Sequence, residues 1–142
     1  MYTYVIIDDE PLIRRGTKKK LEPLSHLLTC CGEASDGREG LELVRQLKPD
    51  IVILDMQMPV MDGTELLPAL SEEFPSTALI VISGFQNFDY MKQAISSKVI
   101  DYILKPFSKD EIQQTVLKTI DSLKDKEAED HHLTSMVQEK EE

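Results

Sequence analysis

Residues 51–55 read IVILD, four consecutive aliphatic residues, three of them β-branched, followed directly by an aspartate. An unbroken run of this kind is typical of a strand buried on both faces, as in a parallel sheet covered by helices. Three other short apolar runs also end in a polar residue: 5–7 before Asp8, 79–82 before Ser83, and 102–104 before Lys105. Because ligands of open α/β sheets bind beyond the carboxyl ends of the strands, we expect these polar side chains to meet at one edge.

Segments with helical patterns separate these runs. Pro11 suits the first turn of a helix. Three further segments begin with a possible N-cap residue that precedes a glutamate by three positions: Asp36, Asp62 and Ser108. A weaker apolar run at 27–32 predicts an additional strand. The resulting (βα)5 order predicts an α/β fold with a doubly wound, five-stranded parallel sheet and helices on both faces.

Two features mark the second half of the chain. Phe88, Met91 and Ile95 recur at helical spacing and predict a helix between the fourth and fifth strands. Beyond Lys126 the apolar periodicity lapses and acidic residues prevail. We therefore expect one domain over residues 1–124 and an acidic linker or tail, partly helical or disordered, over residues 125–142.

Composition narrows the class of protein. The 142 residues carry a net charge of -10, which argues against direct binding of nucleic acid or an anionic membrane by this chain. No apolar stretch approaches the length of about 20 residues that spans a bilayer. Residues 1–11 lack the pattern of a signal peptide, so a cytoplasmic location is expected. The adjacent Cys30 and Cys31 are expected to be buried free thiols.

The predicted sheet edge concentrates negative charge. Asp8, Asp9 and Asp55 would share one pocket, where two unit charges 4 Å apart cost about 4 kcal/mol at an effective dielectric near 20. Such a cluster needs a bound cation or raised pKa values. Carboxylate oxygens without histidine or cysteine favour Mg²⁺ or Mn²⁺. A carboxylate can also attack phosphorus and form an aspartyl phosphate, with the metal, Lys105 and the Ser83 hydroxyl neutralising the phosphoryl oxygens.

The ordered set of motifs resembles the receiver domain of two-component response regulators over residues 2–124. The matching segments are Asp8-Asp9, residues 55–63 (DMQMPVMDG), Ser83-Gly84 and Lys105-Pro106. The resemblance implies a flavodoxin-like fold and a domain that catalyses its own phosphorylation and dephosphorylation without turning over a metabolite. It also implies a sensor histidine kinase as the phosphoryl donor.

The same resemblance implies a role for each matching residue. Asp55 is the expected phosphoacceptor, and Asp8, Asp9, Asp55 and the backbone carbonyl of Gln57 are the expected ligands of Mg²⁺. Ser83 and Lys105 are expected to bind the phosphoryl oxygens. Tyr102 matches the aromatic residue that turns inward in the switch, and the Lys105–Pro106 peptide bond is expected to be cis.

The implied output is a change in the surface formed by the fourth helix, fifth strand and fifth helix. This change would control homodimerisation or an attached effector domain. Residues 83–90 are similar to receivers fused to a helix-turn-helix domain of the AraC type, which implies DNA binding by a domain beyond this chain. Gln57 and Phe85 flank the site and are expected to tune hydrolysis. The family also suggests kinase docking near the basic first helix.

Two alternatives compete with this interpretation. An aspartate-nucleophile phosphohydrolase of the haloacid-dehalogenase kind would place a D-x-D motif on the first strand, whereas here the acidic pair is adjacent. A receiver-like binding module that works without phosphate would usually lack an acid, the lysine or the acceptor, and this chain has them all. One departure from the family pattern is Lys98, at a turn where glycine is usual.

Overall fold

Five parallel strands alternate with five α-helices in the computed structural model, which confirms the predicted fold. The structure describes residues 1–84 and 86–141, with side chains as far as Glu129; Phe85 and Glu142 lie outside the described residues. The elements are β1 (Tyr2–Ile7), α1 (Pro11–Leu21), β2 (Leu28–Ala34), α2 (Gly37–Leu47), β3 (Ile51–Leu54), α3 (Gly63–Glu73), β4 (Ala78–Ser83), α4 (Phe88–Ser96), β5 (Asp101–Leu104) and α5 (Lys109–Glu141). A short 3₁₀ helix, Glu22–Leu24, follows α1.

The sheet order is β2-β1-β3-β4-β5, so β3 is the central strand. Ile51 and Ile53 point into a core layer shared with α1 and α5, while Val52 and Leu54 point into the layer shared with α2, α3 and α4. All four side chains are at most 1% exposed. Burial on both faces explains why the run contains no polar residue.

The helix starts follow the predicted capping residues, with one difference in detail. Asp36 accepts a hydrogen bond from the backbone N–H of Glu39, and Ser108 accepts one from Glu111. Asp62 instead accepts its bond from the N–H of Thr64, one residue earlier than a capping box would give. In each case a side-chain oxygen satisfies an N–H that has no partner inside the helix.

Three local expectations need correction. The second strand does not end at Gly32, because backbone pairing with β1 continues to Ala34. Cys30 and Cys31 are free as expected, yet both are half-buried because β2 is an edge strand. The apolar spacing in α4 correctly gives a helix, but its marker residues Phe88 and Ile95 are 79% and 77% exposed. The buried contacts of α4 come from Ala94 instead.

The last helix continues beyond the point where apolar periodicity ends, reaching Glu141 as a single element of 33 residues. Residues with high intrinsic helix propensity (Glu, Ala, Leu, Met, Gln and Lys) recur in this part of the sequence and favour continuation of the helix. No helix in the described part of the chain is both long enough and apolar enough to cross a membrane.

Lys98 occupies the left-handed turn in which the family pattern has glycine, with φ 57°. The N–H of Val99 donates to the carbonyl of Ala94, and the N–H of Lys98 donates to Ile95. This pair of bonds is the Schellman arrangement that ends a helix at a left-handed residue. The lysine therefore adopts the glycine geometry rather than avoiding it, at a conformational cost of about 1 kcal/mol.

We expect Lys98→Gly to raise the free energy of unfolding by up to about 1 kcal/mol, because glycine adopts positive φ without steric cost. Urea denaturation followed by far-ultraviolet circular dichroism measures the change. Lys92→Gly, in the middle of α4, is the matched control and should lower stability by about 1 kcal/mol. A loss of stability in both variants would contradict the strain assigned to Lys98.

Candidate functional site

The carboxyl ends of the strands bring the predicted polar residues to one edge of the sheet. Asp8 follows β1 and Asp55 follows β3, and they are only 3% and 5% exposed. Ser83 closes β4 and is fully buried. The backbone N–H of Lys105 donates to the Ser83 carbonyl at 2.8 Å, which fixes the start of the loop after β5. The Lys105–Pro106 peptide bond is cis.

Lys105 joins the two buried carboxylates. Its Nζ donates to Asp8 Oδ2 at 2.9 Å and to Asp55 Oδ2 at 3.2 Å. The remaining oxygen of Asp8 accepts the backbone N–H of Glu10 at 2.9 Å. The remaining oxygen of Asp55 accepts the N–H of Met56 at 2.8 Å. Both carboxylates are therefore satisfied and held in place without any exogenous group.

The surroundings of Asp55 disfavour its charged form. Burial raises the pKa of Asp55 from its ordinary 3.8 to about 6, and the nearby charge of Asp8 adds to that rise while Lys105 opposes it. Burial alone would lower the pKa of Lys105, but its hydrogen bond to Asp8 and the charges of both aspartates together raise it. The lysine is thus a permanent cation, and it only partly compensates the acidic cluster.

The acidic cluster has the chemistry of a hard-cation site. One carboxylate oxygen from each of Asp8, Asp9, Glu10 and Asp55 lies within 4.8 Å of the others. Carboxylate oxygens grouped without thiol or imidazole suit Mg²⁺ or Mn²⁺, which retain several waters. A cavity of about 150 Å³, with Gln57 and Gly84 also on its wall, leaves room for those waters. The residues present therefore fit a divalent cation.

Glu10 is the member of this cluster that sequence reasoning missed. It lies between Asp9 and Pro11, and the sequence analysis gave it no role. The structure places its side chain beside the three predicted carboxylates. A run of three acids immediately after a buried strand was the available signal.

The loop after β3 is held close to the cluster by two glycines. The N–H of Gly37 donates to the Met61 carbonyl, and that of Gly63 donates to the Met56 carbonyl. A Cβ on Gly63 would lie 2.4 Å from the Met56 sulfur, and one on Gly37 would lie 2.0 Å from the Met61 oxygen. Since neither backbone tolerates a side chain, these glycines fix the path of the loop.

That loop also contains a backbone outlier. Val60 is β-branched and 67% exposed, yet its φ is 69°. The N–H of Met61 donates to the Pro59 carbonyl at 2.7 Å, which closes a three-residue turn around Val60. A turn of this kind at a β-branched residue is strained. Beside it, a wider cleft of about 500 Å³ is lined by Asp9, Gln57, Met58, Pro59, Asp62 and Tyr90.

Tyr102 lies on β5, the edge strand next to Ser83. It is half-buried and packs against the core layer of α2, α3 and α4. Its backbone pairs with Val81 of β4, one residue from the pair formed by Ile82 and Ile103. A half-buried aromatic residue on an edge strand can change its exposure without rebuilding the sheet.

The basic residues of α1 do not form one solvated face. Arg14 and Lys18 pair with Glu33 of β2 at 3.2 and 2.7 Å. Lys20 donates to the Phe107 carbonyl, with its ammonium 4.2 Å from the centre of the Phe107 ring. The lysine therefore ties α1 to the loop that follows Lys105. Arg15 and Lys19 are the exposed members of the group.

Comparison with known proteins supports one family. A family model described as the response regulator receiver domain matches residues 4–117. The chain is 38% identical to the transcriptional regulatory protein YesN of Bacillus subtilis over 124 residues. The aligned segment covers 87% of this chain and 34% of YesN. It is 37% identical to the transcriptional regulatory protein HptR of Staphylococcus aureus over 106 residues. That alignment covers 75% of this chain and 41% of HptR.

Solved structures agree. The REC domain of AraT, a response regulator from Geobacillus stearothermophilus, matches with a TM-score of 0.82 and 33% identity, covering 89% of this chain and 98% of that one. The receiver domain of the putative response regulator NarL from Mycobacterium tuberculosis matches with a TM-score of 0.75 and 33% identity, covering 87% and 96%. The chain spans well under half the length of the curated relatives it matches.

We expect Asp55→Asn to raise the free energy of unfolding by about 2 kcal/mol at pH 7.5 without divalent metal. A pKa raised to about 6 means that the charged form destabilises the folded state, by up to about 3 kcal/mol for a rise of this size. The advantage of the variant should be largest above pH 6 and should shrink as pH falls toward 4, where wild-type Asp55 becomes protonated. Urea titrations across this range measure it.

The control is Asp125→Asn, which removes the same charge from an exposed position of α5. Its stability should follow the wild type within about 0.5 kcal/mol at every pH. Equal behaviour of the two variants would show that burial of the Asp55 charge carries no cost.

Proposed function

Since this chain belongs to the family of response regulator receiver domains, we propose that Asp55 accepts a phosphoryl group from the phosphohistidine of a sensor kinase. The observation that carries the proposal is the arrangement of Asp55: a buried carboxylate in a cluster of four acidic side chains, with the Lys105 ammonium 3.2 Å from one of its oxygens. The chain is a regulator domain rather than a conventional enzyme, and its chemistry is confined to its own side chain.

The transfer follows from the groups around Asp55. A carboxylate oxygen attacks phosphorus, the phosphorus–nitrogen bond breaks, and its electron pair returns to the imidazole of the donor. An acyl phosphate forms on Asp55. The Lys105 ammonium already donates a hydrogen bond to Asp55 Oδ2. During transfer it can move to the phosphoryl oxygens and stabilise the negative charge that develops on them. Hydrolysis by water would later restore the carboxylate.

Asp8, Asp9, Asp55 and the backbone carbonyl of Gln57 would hold the divalent cation, Mg²⁺ or Mn²⁺. When bound, the cation supplies positive charge that offsets the phosphoryl oxygens during transfer. Asp8 is prepared for this role by the Glu10 N–H, which fixes one of its oxygens. Asp9 is exposed and can reach the cation with little rearrangement.

Ser83 and Tyr102 would carry the signal outward. Ser83 ends the strand beside Asp55, and its hydroxyl is proposed to turn toward a phosphoryl oxygen as Tyr102 turns inward. Two elements near them expose apolar side chains: Met91 and Ile95 of α4 are 38% and 77% exposed, and Leu104 of β5 is 40% exposed. Exposed apolar residues clustered on neighbouring elements favour association. We therefore propose α4, β5 and α5 as the output surface.

The remainder of the chain fits a modular regulator. We propose residues 1–124 as the receiver domain and residues 125–142 as an acidic linker toward an effector domain. Relatives that this chain covers only in part are transcriptional regulatory proteins, so a DNA-binding effector is the proposed partner of the output surface or of the linker. Sensor kinase and receiver would meet in the cytoplasm.

Incubation with acetyl phosphate and MgCl₂ should add one phosphoryl group to the wild-type chain in intact-mass spectrometry. Asp55→Asn should gain none, because an amide oxygen does not form a stable phosphoryl adduct. Asp50→Asn, which alters an aspartate that bonds the Thr3 backbone, is the control and should gain the group as readily as the wild type. An unmodified wild type, or equal labelling of the Asp55 variant, contradicts the assignment.

Phosphorylation should promote self-association through the exposed α4 face, and Ile95→Glu should weaken that association at least tenfold, since it charges the centre of an apolar surface. The intact mass should show that the variant is still phosphorylated. Leu47→Glu, at a 42% exposed position of α2, is the matched control. Analytical ultracentrifugation measures the dimerisation constant. The output model fails if phosphorylation changes neither that constant nor amide exchange in α4, β5 and α5.

A further inference from the structure

The Glu10 carboxylate lies at the candidate site, and capping of α1 does not explain its position. It precedes the first turn of α1 in an extended conformation, and its side chain makes no capping hydrogen bond. Glutamate is too long to cap its own helix well, unlike the Asp36, Asp62 and Asn87 caps of α2, α3 and α4. Its carboxylate instead lines the 150 Å³ cavity together with Asp9 and Asp55.

The four clustered carboxylates divide into two pairs. The inner pair, Asp8 and Asp55, is buried, and each of its oxygens receives a hydrogen bond from Lys105 or from a backbone N–H. The outer pair, Asp9 and Glu10, is exposed, and within the described part of the chain neither carboxylate takes part in an ion pair. The Lys105 ammonium contacts the inner pair, and the Arg14 guanidinium donates to the backbone carbonyl of Asp8, so two positive charges stand against four carboxylates.

We propose that Glu10 is a specificity-determining residue of the phosphoryl-transfer site, a negative charge at its mouth that strengthens Mg²⁺ binding and disfavours small anionic phosphoryl donors. The proposal rests on the function proposed above. The proposed role of Glu10 differs from that of Asp9. Asp9 is proposed to bind the cation directly, whereas the negative charge of Glu10 acts on the cation and on the phosphoryl donor without ligating either.

The Glu10 charge is expected to affect Mg²⁺ binding and the reaction with anionic donors in opposite directions, which distinguishes this role from other roles of the residue. A negative charge near the cavity attracts a divalent cation and repels a phosphoryl donor that is itself a dianion. Since Glu10 is exposed, solvent and salt weaken both effects. Loss of the charge should therefore reduce Mg²⁺ affinity while it accelerates transfer from an anionic donor once Mg²⁺ is saturating. A residue needed only for folding or for ligation would impair both.

The test compares the wild type with Glu10→Gln, which keeps the shape of the side chain and removes the charge. Isothermal titration calorimetry with MgCl₂ should show an affinity about threefold to tenfold lower in the variant. At saturating Mg²⁺, acetyl phosphate should modify the variant about twofold to fivefold faster than the wild type. Phosphoramidate, which carries less net negative charge than acetyl phosphate, should show a smaller acceleration. Intact-mass time courses measure both rates.

Glu72→Gln is the matched control, since it removes the same charge from an exposed position near the end of α3, at the opposite edge of the sheet. It should match the wild type in affinity and in both rates. An additional Glu10→Asp variant keeps the charge and should stay close to the wild type. Raising the ionic strength should shrink the difference between Glu10→Gln and the wild type.

The outcomes separate this inference from the proposed function. If the wild type binds Mg²⁺ and becomes phosphorylated but Glu10→Gln behaves identically, the role of Glu10 is overturned and the phosphoacceptor assignment stands. Slower modification of Glu10→Gln at saturating Mg²⁺ also overturns it, because a repelling charge cannot assist its donor. A wild type that neither binds Mg²⁺ nor gains a phosphoryl group overturns both.

Discussion

The contact of one ammonium with two buried carboxylates is the interaction on which this site depends. A parallel sheet brings the ends of its strands to one edge, so Asp8 and Asp55 must share a desolvated space. Lys105 makes that burial tolerable by donating to both. The lysine is in turn fixed through its backbone bond to Ser83 and through Lys20, which contacts Phe107 two residues further on. Strands β1, β3, β4 and β5 are thereby joined at the edge that contains the candidate site.

Compensation at this edge is incomplete, and the excess negative charge connects stability with chemistry. An acidic cluster of this composition suits a divalent cation, while burial, and secondarily the charge of Asp8, raises the pKa of Asp55 and so disfavours its carboxylate form. The proposed conversion of that carboxylate into an acyl phosphate would change the charge balance at the point where the strands meet. A conformational response in the adjoining strands would then follow from electrostatics.

Much of this arrangement could be predicted from sequence because strand burial leaves a strong signal. The apolar runs before Asp8, Asp55 and Ser83 indicate strands buried on both faces, and in a parallel sheet the residues that follow such strands lie at one edge. Periodicity could not show that Phe88 and Ile95 face solvent, since spacing identifies a helix but not the side on which its neighbours pack. The position of Glu10 depends on how the chain turns into α1, and apolar periodicity gave no sign that α5 continues to Glu141.

The length of α5 has a mechanical consequence. Among the side chains that the structure describes, Leu123 is the last of α5 to pack against the core, and the helix continues to Glu141, about 27 Å further at 1.5 Å per residue. A rigid rod of this length turns rotation at its base into translation at its tip, about 5 Å for every 10°. Since α5 begins four residues after Lys105, the base of this helix lies close to the candidate site. If two copies of this chain formed a dimer, a small reorientation of one domain relative to the other would change the distance between the ends of their two α5 helices.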